Sequence, residues 1–279
     1  MCGCGLALAA LAGAARADEP VAPRLSPHPL WELGLGVGAL ELPDYRGSDH
    51  AQGYILPVPY VAYRGDWLKA DRDGARALLL KSERIDVDLS ASAGVPTHSR
   101  DNEARRGMED LPATVELGPN LQVRLANLGG QRDARLDLRF PLRAAFTLER
   151  SPHGIGFTFS PNLNLDLSNI AGGWHFGLLT GPFFATRAYH QHYYGVGAAD
   201  ATPQRPAYDA RGGYGGWQAL AAASRRFGST WVGAFVRADD LHGAVYESSP
   251  LVRRHYAVSG GVAVAWVFAQ SGRIVQAED

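Results

Sequence analysis

The chain has 279 residues, 46% of them hydrophobic, with 27 basic and 28 acidic side chains and a formal net charge of −1. That balance excludes a disordered chain and offers no basic surface for nucleic acid. Glycine is abundant at 33 residues, which suits β structure with many turns and close backbone approaches.

The first element is a targeting segment. LALAALAGAA (6–15) is a short apolar run, and Ala15-Arg16-Ala17 fits a small-x-small cleavage site ahead of Asp18. Residues 1–17 therefore read as a signal peptide, and the run is too short to span a bilayer as a helix. MCGCG carries no Lys or Arg, which departs from a charged n-region and puts the start codon in question. Cys2 and Cys4 both lie here, so a chain beginning at Asp18 would have no cysteine. An exported protein without disulfides must be held together another way, and a closed sheet is one. Residues 18–30 read as an N-terminal periplasmic segment.

From Trp31 onward the pattern is period two. RIDVDLSASA (84–93) sets Ile85, Val87 and Leu89 against Asp86, Asp88 and Ser90. ATVELGPNLQVRL (113–125) sets Val115, Leu117, Leu121, Val123 and Leu125 against Glu116, Asn120, Gln122 and Arg124. DARLDLRFPLRAAFT (133–147) and GIGFTFSPNLNLDLSN (154–169) repeat the alternation. A soluble sandwich and a membrane barrel both alternate in this way. Several runs approach twice the ~5–6 residues of a soluble strand and match the ~9–11 residues of a tilted bilayer-crossing strand.

Strands are expected near 31–41, 53–63, 67–71, 75–82, 84–95, 112–125, 133–147, 154–169, 173–187, 212–226, 230–240 and 257–268. Connections after even-numbered strands are short. Those at 42–52, 96–111, 188–211 and 241–256 are long. The reading is an all-β, antiparallel transmembrane β-barrel of about twelve strands over 31–268, with short periplasmic turns and longer extracellular loops. Without the two short strands in 67–82 the count falls to ten. Pro119, Pro141, Pro161 and Pro182 interrupt four consecutive long strands, and they are expected to form a belt near the extracellular interface.

Three patterns invite a chemical reading. In HQHYYGV (190–196), His190 and His192 would share one face of a strand and need a third ligand for a metal, with His175, His242 and His255 as candidates. An aromatic, polar strand end at a membrane interface explains the segment better. Ser48 beside His50 and Ser151 beside His153 lack the elbow motif of a hydrolase, and solvated loop polarity explains them better. Arg135, Asp137, Arg139, Arg143 and Asp166 could line a pore or form a salt-bridged plug, with neither favoured. No catalytic residue, cofactor or metal ligand is assigned.

Several stretches together resemble the MipA/OmpV family, the MltA-interacting outer-membrane proteins. They are DYRGSDHAQGYILPVPYVAYRGD (44–66), Gly-Pro-Asn-Leu (118–121), YHQHYYGV (189–196) with RPAYDARGGYGGW (205–217), and Ser-Pro-Leu-Val (249–252) ahead of the strand ending Trp266-Val267-Phe268. The resemblance implies a non-catalytic outer-membrane barrel that brings a membrane-bound lytic transglycosylase together with a bifunctional penicillin-binding protein in peptidoglycan synthesis. A narrow pore for small solutes and an enzyme acting on outer-leaflet lipid are the alternatives. Outer-membrane lipid is an expected partner, and nucleic acid is not. The residues placed by the resemblance in loop packing or recognition are Tyr45, Gly47, Ser48, Asp49, Tyr193, Tyr194, Ser249 and Pro250. The 188–211 loop is expected to fold over the barrel mouth against 42–52 and 241–256. Chains of this kind usually stop at the terminal aromatic, so the tail 269–279 is a departure.

Overall fold

The computed structural model describes residues 25–64, 68–71, 74–82, 84–128 and 133–278. The expected signal peptide lies outside them, as does the first part of the N-terminal segment. The strands are β1 (Leu25–Pro29), β2 (Trp31–Pro43), β3 (Ala51–Arg64), β4 (Leu68–Asp71), β5 (Gly74–Lys81), β6 (Ile85–Gly94), β7 (Thr114–Leu128) and β8 (Asp133–Thr147). They continue as β9 (Gly154–Phe159), β10 (Asn162–Ile170), β11 (Trp174–Ala185), β12 (Gly213–Phe227), β13 (Thr230–Asp240), β14 (Tyr256–Gln270) and β15 (Ile274–Glu278). A single α-helix among the described residues, α1 (Arg187–Tyr194), follows β11. No described helix is long and apolar enough to cross a membrane.

Thirteen strands form one antiparallel sheet in the order β10-β11-β12-β13-β14-β2-β3-β4-β5-β6-β7-β8-β9. β14 pairs with β2, and β10 pairs with β8 as well as with β11. Each strand of this sheet therefore has a partner on both sides. Both short strands over 67–82 are present. The expected strand 154–169 is instead two, β9 and β10, separated at Ser160-Pro161. The cause is Pro161, which has no N–H to give the ladder.

The four prolines fall on one line across the sheet. Pro141 faces Asn120, the residue after Pro119. Its carbonyl accepts from the backbone of Ser160, next to Pro161. Pro182 faces Trp217, and the β11–β12 register shifts just beyond it, between Pro182 and Phe184. Two glycines make room along this line. A Cβ on Gly118 would lie 2.0 Å from the Leu142 carbonyl oxygen, and one on Gly181 would lie 2.1 Å from that of Pro161. Where proline removes a ladder bond, glycine lets the neighbouring backbones close up.

The tail is not an appendage. β14 continues past Phe268 to Gln270, and β15 pairs antiparallel with β1 from Leu25↔Glu278 to Pro29↔Ile274. This ribbon is tied to the base of the sheet. Glu32, 1% exposed, takes Arg64 at 3.0 Å and also Arg226, while Arg64 Nη1 donates to the Pro29 carbonyl at 3.0 Å.

The usual placement of side chains is inverted. Strand residues buried in the large sheet are mostly polar: Asp88, Glu116, Asn120, Gln122, Asp137 and Asn164 among them. The large apolar side chains of the strands are exposed, including Leu35, Leu117, Val262 and Trp266. The main cluster of buried hydrophobics lies wholly in the connections: Tyr45, Leu111, Tyr194, Leu241, Tyr246 and Leu251 are its larger members.

Overpacking a tight backbone approach costs about 1–3 kcal/mol. Gly118→Ala is therefore expected to lower stability by about that amount, read by denaturant titration of tryptophan fluorescence. Gly53→Ala, which meets nothing within 4 Å, is expected to change little.

Candidate functional site: a cap of packed loops

Because every pairing is antiparallel, the connections 44–50, 95–113, 148–153, 186–212 and 241–255 leave the large sheet at one end, opposite the short turns. Four of them interlock into a cap.

The cap is centred on stacked tyrosines. Tyr194 and Tyr246 lie face to face, with centroids 3.7 Å apart and planes 8° from parallel. Tyr45 meets Tyr194 edge-on at 6.0 Å, and His190 meets Tyr246 at 4.6 Å. A buried phenol needs an acceptor, and each of the three donates to a carbonyl on another segment. Tyr45 reaches Leu251 at 2.9 Å, Tyr194 reaches Arg46 at 3.0 Å, and Tyr246 reaches Gly215 at 2.8 Å. Burial raises the pKa of all three phenols, so they stay neutral donors. Arg46 sits beside this stack, with its guanidinium 4.5 Å from the Phe183 ring centre and 2.7 Å from Asp239.

Polar clasps fasten the rim. Asn102, fully buried, donates to Asp44 at 2.7 Å and to Ser48 at 3.0 Å. Thr97 donates to the Asp44 carbonyl at 2.9 Å. Arg105 donates to Ser99, to the Tyr193 carbonyl and to the Glu109 carbonyl. Arg205 reaches from its own loop to the carbonyls of Ala104 and Arg106, both at 3.0 Å.

Six of the eight residues singled out from the sequence make such contacts. Tyr45 and Tyr194 are in the stack. Gly47 has φ +90°, and its carbonyl accepts the backbone N–H groups of Arg253 (2.8 Å) and Arg254 (3.1 Å). Ser48 is buried in the Asn102 clasp. Tyr193 bonds Thr114 at 3.2 Å, and Ser249 donates to the Tyr194 carbonyl at 2.8 Å. Asp49 is exposed, 4.0 Å from Arg253, and Pro250 is half-buried without a specific polar partner. Asn102, Arg105, Tyr246 and Leu251 were not among them. Their signal is chain-distant, since each bonds or packs across loops.

The HQHYY part of HQHYYGV ends helix α1, while Val196 bridges Tyr208, which corrects the strand-end reading. α1 turns His190 and His192 to different sides. His190 is fully buried, with Nδ1 2.7 Å from the Arg211 carbonyl, so it is committed to the cap rather than shared with His192. The serine–histidine pairs also resolve. Ser48 donates to the His50 backbone carbonyl while the His50 ring faces Asp44 at 3.0 Å. The His153 ring faces Thr147 and Glu149.

Below the cap, the charges on the strand faces pair with one another. Arg135 lies 2.8 Å from Asp137 and 3.1 Å from Asp166, and Arg139 lies 3.2 Å from Asp166. Asn164 also donates to Asp166 at 2.8 Å. Arg143 donates to Ser90 and lies 3.8 Å from Glu116, which takes the Tyr189 hydroxyl at 2.9 Å. Arg253 and Arg254 are exposed.

The family model for MltA-interacting protein MipA matches residues 35–268. The chain belongs to the MipA family. The match runs from β2 to β14 and takes in the whole cap. No curated protein matches the chain closely enough to count as a relative.

Truncating a fully buried aromatic costs about 3–5 kcal/mol. Tyr246→Ala is expected to raise amide exchange in 44–50, 187–212 and 241–255 together. Tyr246→Phe keeps the stack, forfeits one hydrogen bond worth about 1 kcal/mol, and should loosen them far less.

The cap also carries a pH dependence. Burial, with Arg105 and His153 nearby and Glu149 opposing, lowers His192 to about 4. An opened cap would hold His192 near its ordinary ~6.5. Between those values the opened form binds the extra proton, so cap stability falls as pH drops from about 6.5 to about 4. Exchange in 187–212, corrected for its intrinsic pH dependence, is expected to be faster at pH 5 than at pH 7.5. His192→Gln should flatten that difference.

Proposed function

We propose that the chain is an outer-membrane β-barrel that serves as a scaffold for cell-wall enzymes. The observation that carries the membrane reading is the inverted burial, with polar side chains inside and large apolar ones outside. A soluble monomer rarely exposes so extensive an apolar surface, whereas a barrel in lipid requires it. In this reading β9 and β10 count as one interrupted stave, and the sheet is a barrel of twelve.

The dimensions fit. Trp217 and Phe227 are exposed on the same face of β12, as are Tyr256 and Trp266 on β14. Each pair is ten residues apart, and at ~3.3 Å per residue with ~40° tilt that spans ~25 Å. This is the height of an outer-membrane apolar band between its aromatic girdles. In this reading the signal peptide directs export, the cap faces outward, and the short turns and the β1–β15 ribbon lie in the periplasm.

The family's name ties its members to MltA, a lytic transglycosylase. A periplasmic partner would meet the turns and the ribbon, not the cap. A bifunctional penicillin-binding protein is the second partner of the scaffold. The internal ion pairs and the packed cap weigh against a pore. No catalytic residue and no cofactor are assigned.

Full-length protein in detergent is expected to retain MltA on a column and to lose it when residues 271–278 are removed. Unchanged retention would move the contact to the short turns, and failure of the intact protein to retain MltA ends the scaffold reading. In planar bilayers the same preparation is expected to show no steady conductance.

A further inference from the structure

The loop joining β13 to β14 carries a histidine at its second position and another at its last. His242 follows β13 by two residues, and His255 directly precedes β14. The ladder fixes both positions, since Asp240 pairs with Tyr256 and the Leu241 N–H donates to the His255 carbonyl at 2.8 Å. The two imidazoles lie with ring centres 4.9 Å apart. Glu247, from the middle of the loop, brings Oε1 to 3.4 Å from His255 Nε2.

We propose that His242, Glu247 and His255 form a binding site for a divalent transition metal of the zinc or copper class. One ligand atom from each lies within 4.8 Å of the others, and this is the one group of three such residues among those described. A tetrahedral ion with ligands at ~2.1 Å needs donor atoms ~3.4 Å apart. The half-exposed side chains reach that by small rotations. Two imidazoles and one carboxylate suit zinc or copper and disfavour calcium or magnesium, which take oxygen ligands.

The surroundings are arranged as a metal site requires. Asp240 Oδ1 accepts the His242 backbone N–H at 3.0 Å and lies 2.6 Å from His242 Nδ1. That pairing puts the proton on Nδ1 and leaves Nε2 as the ligand, the carboxylate–histidine–metal arrangement. Glu247 Oε2 accepts the Gly243 N–H at 2.8 Å, which holds the carboxylate over the loop and leaves Oε1 for the ion. Three protein ligands leave one position for water or an external ligand. A bound ion would join both ends of the loop to its centre and so clip the part of the cap that carries Tyr246 and Leu251. The site does not depend on the scaffold reading or on any partner.

The test is calorimetric titration of Zn2+ into the tag-free full-length protein in detergent, repeated with Cu2+ and Ca2+. One saturable site is expected for Zn2+ and Cu2+ and none for Ca2+. His242→Ala and His255→Ala should each abolish it. Asp240→Asn should weaken it about 10–100-fold, and Glu247→Gln should weaken it while keeping an acceptor for Gly243. His98→Gln should leave it intact, and electron paramagnetic resonance of bound Cu2+ should show two nitrogen ligands. Binding unchanged in the His242→Ala and His255→Ala proteins, equal binding of Ca2+, or no saturation below about 1 mM overturns the proposal.

Discussion

The constraint on which the structure depends is the pairing of every strand of the large sheet on both sides. A strand with a free edge must expose unpaired N–H and C=O groups or cover them. Here β14 meets β2 and β10 meets β8 along long registers, and the pairing is thinnest at β3–β4, where Tyr63 and Arg64 carry it. The side chains are then released from protecting an edge. Their apolar members can point away from the interior, and their polar members can fill it. The proline row is where this economy is strained. Four donors are missing along one line, and the fold answers with a break at Ser160-Pro161, a register shift after Pro182 and two glycines that let backbones close.

An interior filled by polar side chains is stable only when its groups satisfy one another. The strand faces meet this requirement by sharing. Asp166 receives Arg135, Arg139 and Asn164, Asp88 receives Asn120 and Gln122, and Glu116 receives Thr158 and Tyr189. Each carboxylate has two or more donors, as a buried charge must to offset its desolvation. The last of these links reaches upward, because Tyr189 belongs to α1. The interior network and the cap are thus one connected system, joined at Glu116 and again where Arg46 meets Asp239.

How much was legible in the sequence follows from the range of the interactions. Alternation is local, so the strand positions could be read off residues such as Leu136, Leu138 and Phe140, and the two-ended loop asymmetry followed. The helix RAYHQHYY could not be read that way. Eight residues form two turns, too few for a helical period to stand out, and tertiary contacts through His190 and Tyr194 hold them. The β1–β15 pairing joins segments some 250 residues apart in a chain whose LSPHP strand carries two prolines. No local pattern announces it. Motif resemblance located the loop residues that matter, yet it was silent on Tyr246, Asn102 and Arg105, which earn their place only by what they touch across the cap.

The two ends of the molecule are consequently different kinds of surface. At the long-loop end the apolar side chains are spent on one another, and the phenols donate inward to carbonyls. That end is closed by its own packing, with histidines and carboxylates left on its outside. At the short-turn end the turns leave little to pack, and the ribbon stands apart from the large sheet, joined through Glu32, Arg64 and Arg226. A two-stranded ribbon retains two open edges, and backbone edges are what a partner's strand can pair with. A scaffold needs at least one surface whose bonding capacity is not already used. Within this fold the ribbon meets that description and the cap does not, so the scaffold reading proposed above puts partner docking at the end opposite the family's loop signatures.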